Sequence, residues 1–302
     1  MLDLAEKDAK IYIILAIGVF IIAFSGIIIK VITAPALIIA FYRVFLSSLF
    51  LTPLFLTKYR DSLKYFLDIR PALVGFLLAL HFFAWISAVQ FTNVANAVIF
   101  IAIQPLFTLL LEYLFAREDI RKGAIAGVIF ALIGSIIISY SDFHIILTRF
   151  YGDMLAILAA FLAACYLFLG RSFRKKIEYI PYIYIVYTYC AFFLFIFVLI
   201  SGKPFTGYSN INYFYILLLA LGPTLIGHSI LNLSIRYVPA TIVSLAILGE
   251  PIMTTILAVI ILKETLTTAT MIGGSLILYG IFKAINQTRN NNKKLNEGIS
   301  DV

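Results

Sequence analysis

A glutamate followed by a proline, Glu250-Pro251, lies within a long apolar run, and a glutamine followed by a proline, Gln104-Pro105, lies within another. The two pairs are 146 residues apart. In a membrane-spanning segment a central carboxylate costs about 2.5–3.5 kcal/mol. Glu250 must then face a cavity or a partner, or stay protonated. A carboxyl held in that balance suits proton coupling; the plainer alternative is a neutral glutamate hydrogen-bonded to a neighbouring helix. Each proline removes a backbone donor and clashes with the carbonyl four residues back, at Ile101 and Ile247. Such a break either shapes packing alone or turns backbone polar groups towards a cavity. The matched spacing of Pro105 and Pro251 favours the cavity.

Other polar side chains recur at helical spacing. His81 and Trp85 are four apart, as are Thr224, His228 and Asn232. Polar stripes in lipid point inward, where a neutral imidazole beside an aromatic ring suits an amphipathic molecule. Interhelical hydrogen bonding is the alternative for each stripe. Asn93, Asn96 and Gln104 are further lining candidates, although Asn96 and Gln104 sit roughly 80° apart in helical phase. The expected cavity set is thus His81, Trp85, Asn96, Gln104, His228, Asn232 and Glu250. Arg43 is eight residues into its run, too deep to snorkel, and reads as a structural or gating charge more readily than as a clamp for a substrate carboxylate. Glu112, nearer a run's end, suits a partly solvated structural role. Tyr179, Tyr182 and Tyr184 at the start of a run fit an interfacial aromatic belt.

The elements that must hold these residues are membrane helices. The chain is 63% hydrophobic and 13% charged, with mean hydropathy +1.04; no soluble domain needs so much apolar residue. Ten apolar runs of helix-spanning length are legible: Ile11–Ile29, Pro35–Thr57, Pro71–Gln90, Val94–Phe115, Gly123–Tyr140, Asp153–Gly170, Pro181–Ser201, Ile211–Ser234, Val238–Leu262 and Ala269–Ile285. With the N-terminus placed in the cytoplasm, 18 of the 23 Lys and Arg fall on the cytoplasmic side. Only Lys30, Arg149, Lys203 and Lys263 fall on the far side. That asymmetry is the positive-inside pattern; both termini come out cytoplasmic, and the net charge of +8 meets anionic lipid rather than nucleic acid. Cys165 and Cys190 lie inside runs and imply no disulfide framework. Residues 286–302 are polar and read as a disordered tail.

The spacing of 146 extends beyond the two prolines. It also superimposes Lys30 on Lys176, Pro35 on Pro181, Glu118 on Glu264, Gly127 on Gly273 and Gly134 on Gly280. Each half carries five runs, an odd number, so the second half enters the membrane from the opposite side. The predicted fold is all-α and integral to the membrane: ten helices as two inverted five-helix repeats, 1–146 and 147–285. Inverted halves suggest a transporter whose binding site lies where they meet.

Two segments carry a resemblance. VANAVIFIAIQPLFTLLLEYLFAREDIRKGAIAGVIFALIG (94–134) and VPATIVSLAILGEPIMTTILAVIILKETLTTATMIGGSLILYG (238–280) both resemble the repeat unit of the drug/metabolite transporter superfamily, EamA family. The stretch PALIIAFYRVFLSSLFLTPLFL (35–56) is similar to that family's second helix, with its early arginine. The resemblance implies a ten-helix carrier of small organic metabolites, often an exporter of amino acids, in a bacterial or archaeal cytoplasmic membrane. Gln104 stands where the family often has glutamate, which puts a paired-carboxylate role in doubt.

Other classes fare worse. H-E-x-x-H, G-x-S-x-G and acidic metal clusters are absent from the sequence, which argues against an integral-membrane enzyme, and no charged ring points to a channel. The glycines lie in apolar helices without an adjacent G-K-[ST], so they fit close helix packing rather than a phosphate loop. No cofactor or metal is implied. The expected partners are a small-molecule substrate and the bilayer; the sequence admits a homodimer without requiring one.

Overall fold

The computed structural model describes residues 2–116, 122–174, 176–228, 230 and 249–283. Every regular element among them is helical. In chain order they are α1 (Leu2–Val31), α2 (Ala36–Lys58), a 3-10 helix (Arg60–Leu67), α3 (Ile69–Phe91), α4 (Val94–Ile101), α5 (Gln104–Ala116), α6 (Lys122–Ile145), α7 (Leu147–Arg174), α8 (Tyr179–Ser201), α9 (Asn210–Leu219) with a π-helical continuation (Ala220–Gly227), α10 (Gly249–Ile261) and α11 (268–283). Seven stretches are long and apolar enough to cross a membrane among the described residues, and Ile125–Ser141 and Gly249–Ile261 are shorter apolar helices. The tail 286–302 and the start of the ninth run lie outside the described residues.

Two runs that read as continuous helices are interrupted. Within 94–115, α4 stops at Ile101 and α5 begins at Gln104, with residues 102–103 in a turn. Pro105 is the cause: it offers no N–H to Ile101, and its ring crowds that carbonyl. Within 211–234, α9 gives way to the π-helical turn around Pro223. Pro223 leaves the Leu219 carbonyl without its i+4 donor, and the hydroxyl of Thr224 donates to that oxygen instead, at 2.8 Å. The equivalent backbone before Pro251 lies outside the described residues.

Bundle ends are tied by polar side chains. Asp68 caps α3, accepting from the Arg70 backbone N–H at 2.9 Å, and the Arg70 guanidinium closes on the same carboxylate. The side-chain hydrogen bond first, and the backbone one second, hold the Asp68 carboxyl down at about 2. Because the folded value is depressed, this contribution is complete above the ordinary carboxylate value of about 4. It fades as pH falls through about 2.

Helices α6 and α11 meet through glycines. A Cβ on Gly273 would stand 2.6 Å from the Gly134 carbonyl oxygen, and one on Gly280 would stand 2.6 Å from that of Gly127. The backbones pass this closely only because no side chain intervenes. The 146-residue offset turns the pair 134–273 into the pair 280–127, so the two contacts exchange places.

Gly273→Leu is expected to lose about 1–3 kcal/mol through overpacking, read as a lower melting temperature in detergent. Met271→Leu, on the outward face of α11 at 61% exposure, is expected to leave it unchanged. Asp68→Asn is expected to leave the pH profile of the protein between pH 5 and pH 8 unaltered, since Asp68 stays ionised throughout that range.

Candidate functional site

The sixth buried residue of α2, after Ala36, Ile38, Ile39, Ala40 and Phe41, carries a guanidinium. Arg43 is 2% exposed. Its Nε donates to Thr224 Oγ1 at 2.7 Å and its Nη1 to Ser25 Oγ at 3.4 Å. Its carbon Cζ lies 4.7 Å from the centre of the Phe82 ring, a cation–π distance. Arg43 therefore joins α1, α2, α3 and the π turn after α9. Glu250, half-buried in the first turn of α10, lies within electrostatic reach of it, as do His81, His228 and Tyr187. The partner that the sequence left unnamed for Arg43 is thus Thr224, set in place by Pro223.

Next to this centre is a cavity of about 490 Å³, within the usual range for small-molecule sites. Its lining comes from α3, α5, α7, α8 and His228. It runs from His81, Phe82 and His228 at mid-bundle to Gly170 and Tyr179 at the helix ends that flank the α7–α8 connection. Helical periodicity explains which residues face it. Gln104, Thr108 and Glu112 follow one another at four-residue steps along α5, and Tyr179, Tyr182, Ile183, Val186 and Tyr187 occupy one face of α8. His81 is fixed by a 2.9 Å hydrogen bond between Nδ1 and the Ala159 carbonyl oxygen. As that partner is an acceptor, Nδ1 carries the proton.

Polar contacts tie helix ends together at the opposite end of the bundle. Lys30 Nζ donates to the carbonyls of Val89 (2.9 Å) and Thr92 (2.6 Å) at the end of α3. Glu264 accepts from the backbone N–H groups of Val94 (3.0 Å) and Ala95 (3.4 Å) at the start of α4. A cation at a helix C-terminus and a carboxylate at an N-terminus both complement the helix dipole. Thr92 Oγ1 also donates to Asp153 Oδ1 at 2.8 Å.

Of the seven residues expected to line a cavity, His81, Gln104 and His228 do so here. Trp85 shares the face of His81 but lies one turn deeper, packed into the core at 6% exposure. Asn96 is 1% exposed and its Oδ1 accepts from Thr270 Oγ1 at 2.8 Å, so it ties α4 to α11. Glu250 stands beside Arg43 and is not among this cavity's lining residues. Asn232 lies outside the described residues. Tyr179 and Tyr182, read as an interfacial belt, face the cavity instead, and Tyr184 stacks on Phe55 at 4.1 Å between ring centres. Glu112, assigned a structural role near a helix end, also faces the cavity. Thr108 and Tyr166 were missed entirely; the four-residue step from Gln104 through Thr108 to Glu112 was the available signal. No group of three or more His, Cys, Asp or Glu suited to a metal ion occurs among the described residues.

Comparison with known proteins gives a consistent picture. The model of the EamA-like transporter family matches the chain twice, over residues 9–140 and 150–285. An uncharacterized transporter of Archaeoglobus fulgidus is 28% identical over 63% of this chain and 67% of its own length. An uncharacterized transporter of Clostridium kluyveri is 26% identical over 70% of this chain and 68% of its own length. A solved structure described only as the crystal structure of a protein matches with a TM-score of 0.63, covering 91% of this chain and 97% of that one. At 16% identity it speaks for the fold alone.

Thr224→Val keeps the side-chain shape, removes the acceptor of Arg43 Nε and takes away the side-chain donor to the Leu219 carbonyl. A loss of about 1–3 kcal/mol is expected from the unsatisfied buried groups, measured as reduced thermal stability of purified protein. Thr224→Ser is expected to retain most of it.

Proposed function

The chain belongs to the EamA-like transporter family, and from that premise, which makes it a membrane transporter of small molecules, we propose that it is a secondary carrier working by alternating access. The proposed architecture is ten helices in two inverted halves. The double family match and the exchanging glycine contacts support it, since a pair of contacts that swap under the repeat offset is what a twofold relation between halves requires. The N- and C-termini are placed in the cytoplasm of a bacterial or archaeal cell on the strength of the positive-inside pattern. On that orientation the cavity leads to the cytoplasm, and the Lys30, Thr92 and Glu264 contacts seal the outer side.

The observation that carries the carrier reading is the pairing of this one-sided cavity with the opposite seal. Its lining is drawn from both sides of residue 146, as expected for a binding site between halves. A channel would leave a path through, and the polar contacts among the described residues at the other end favour a carrier instead. The proposed cargo is an amphipathic organic metabolite, amino acids and related compounds among them, because the lining combines apolar and aromatic side chains with a few polar ones. Net movement, proposed as export, draws on a substrate or proton gradient. Glu250, beside the fixed charge of Arg43, is the proposed proton-binding group.

Counterflow in proteoliposomes tests the reading. Vesicles loaded with mixed unlabelled amino acids and related amines should take up labelled members saturably, and a pH gradient should alter the rate. Downhill flux without exchange would favour a channel, and chemical conversion of the cargo would favour an enzyme. Glu250→Gln is expected to flatten the pH dependence while leaving exchange at saturating substrate largely intact; an unchanged pH profile removes Glu250 from coupling. His228→Ala is expected to raise KM about tenfold, the equivalent of one good contact, at unaltered folding.

A further inference from the structure

The connection between α2 and α3 carries a face that no described helix covers. Each of these two helices has 23 residues, a rise of roughly 34 Å at about 1.5 Å per residue, just enough to cross the hydrocarbon core of a bilayer. The 3-10 helix between them, Arg60–Leu67, therefore lies at headgroup level, and none of its residues is buried. Two aromatic residues dock its inner side. The Tyr65 ring meets Phe173 edge-on at 5.7 Å, and its hydroxyl donates to the Lys176 carbonyl oxygen at 3.3 Å. Phe66 packs against Phe55 and Tyr189, and its carbonyl accepts from the Tyr189 hydroxyl. The outer side is left with Leu63 at 43% exposure and Leu67 at 92%, joined by Ile69 at the start of α3 at 77%.

Positive charge accompanies this apolar edge. Lys58, Arg60 and Lys64 are exposed, as is Lys176 on the α7–α8 connection. Arg70 is taken up by Asp68, whereas Lys58 and Arg60 have no hydrogen-bond or ion-pair partner among the described residues. The exposed carboxylates described on the same two connections are Asp61 and Glu178, so the basic groups outnumber them. In a 3-10 helix residues three apart lie in line, which sets Arg60 with Leu63 and Lys64 with Leu67. Cation and leucine thus share the outward face. An apolar side chain there enters the acyl boundary while the basic stem beside it reaches back to a phosphate. A soluble acidic partner would have to reach this face at the level that lipid headgroups already occupy. We propose that the outer face of the 3-10 helix is a docking surface for anionic lipid headgroups, with Leu63, Leu67 and Ile69 in the acyl boundary and Lys58, Arg60 and Lys64 on the phosphates. Through Tyr65 and Lys176 the bound lipid borders the α7–α8 connection, where the cavity ends. The docking requires a bilayer around the bundle but no particular cargo.

Leu67→Trp places an indole on this face. The chain's own tryptophan, Trp85, is 6% exposed in the core, so the wild type supplies the background. Both proteins are reconstituted in mixed phosphatidylcholine and phosphatidylglycerol vesicles in which one lipid or the other carries bromine near the top of its acyl chains. The introduced indole is expected to be quenched by brominated lipid and shielded from aqueous iodide. Brominated phosphatidylglycerol is expected to outcompete brominated phosphatidylcholine about fivefold, the factor that one basic residue contributes at an anionic surface. Adding Lys58→Gln, Arg60→Gln and Lys64→Gln together is expected to abolish that preference while the indole stays quenched by lipid. Quenching by iodide and not by brominated lipid overturns the proposal and returns the face to water or to a soluble partner. Equal quenching by the two lipids, or a preference that survives the three glutamines, overturns the headgroup assignment. Should Leu67→Trp fail to reconstitute, Ile69→Trp reports from the same face. No transport enters these readings, so failure of the docking surface and failure of the carrier reading remain distinguishable.

Discussion

A guanidinium in the middle of an apolar bundle cannot be left alone. Arginine does not shed its proton at any relevant pH, so the fold must supply acceptors and polarisable surface around Arg43. The supply begins with a defect in another helix. Pro223 withholds a backbone donor, the turn relaxes to a π-helical geometry, and the Leu219 carbonyl, denied its i+4 donor, also accepts from the Thr224 hydroxyl. That hydroxyl, its proton spent, presents a lone pair to Arg43. Ser25 and the Phe82 ring complete the shell from α1 and α3. One buried charge thus fixes the relative positions of four segments, and the cavity adjoins the place where they converge.

This centre also explains why the imperfect helices lie where they do. A backbone break exposed to hydrocarbon would leave peptide groups unsatisfied. The interruption at residues 102–103 falls beside the buried side of α5, and the π turn falls against Arg43 and Ser47, whose hydroxyl donates to the Ala220 carbonyl at 3.3 Å. Both irregular turns are inside the bundle, where side chains can answer them. The lipid-facing surfaces keep regular helices with large exposed apolar residues such as Ile136 and Ile200.

The sequence made the membrane class, the internal repeat and the break at Pro105 legible, because hydropathy, fixed spacing and proline chemistry are local or periodic signals. The cavity was only partly legible. His81, Gln104 and His228 stood out because polar residues are rare in such helices. Asn96 was as conspicuous, but its partner Thr270 is 174 residues away, and no local pattern distinguishes a helix-to-helix bond from a binding group. Tyr179 and Tyr182 misled for the same reason: near a helix start, a tyrosine facing lipid headgroups and one facing a cavity have the same spacing. Pro223 was readable in principle, yet its effect depends on Thr224 and Arg43, which meet only in three dimensions.

The crossed glycine contacts between α6 and α11 have a consequence for the seam between the halves. Contacts that exchange under an internal repeat have the form of an isologous interface, in which one patch is complementary to its own copy. On the inverted-repeat reading, a single covalent chain is held together there as a dimer would be. Any change at Gly134 then meets the backbone of Gly273, the repeat equivalent of Gly127, and a change at Gly280 meets that of Gly127 itself. The two repeats cannot drift apart in sequence independently along that line: each is the mould in which the other is cast.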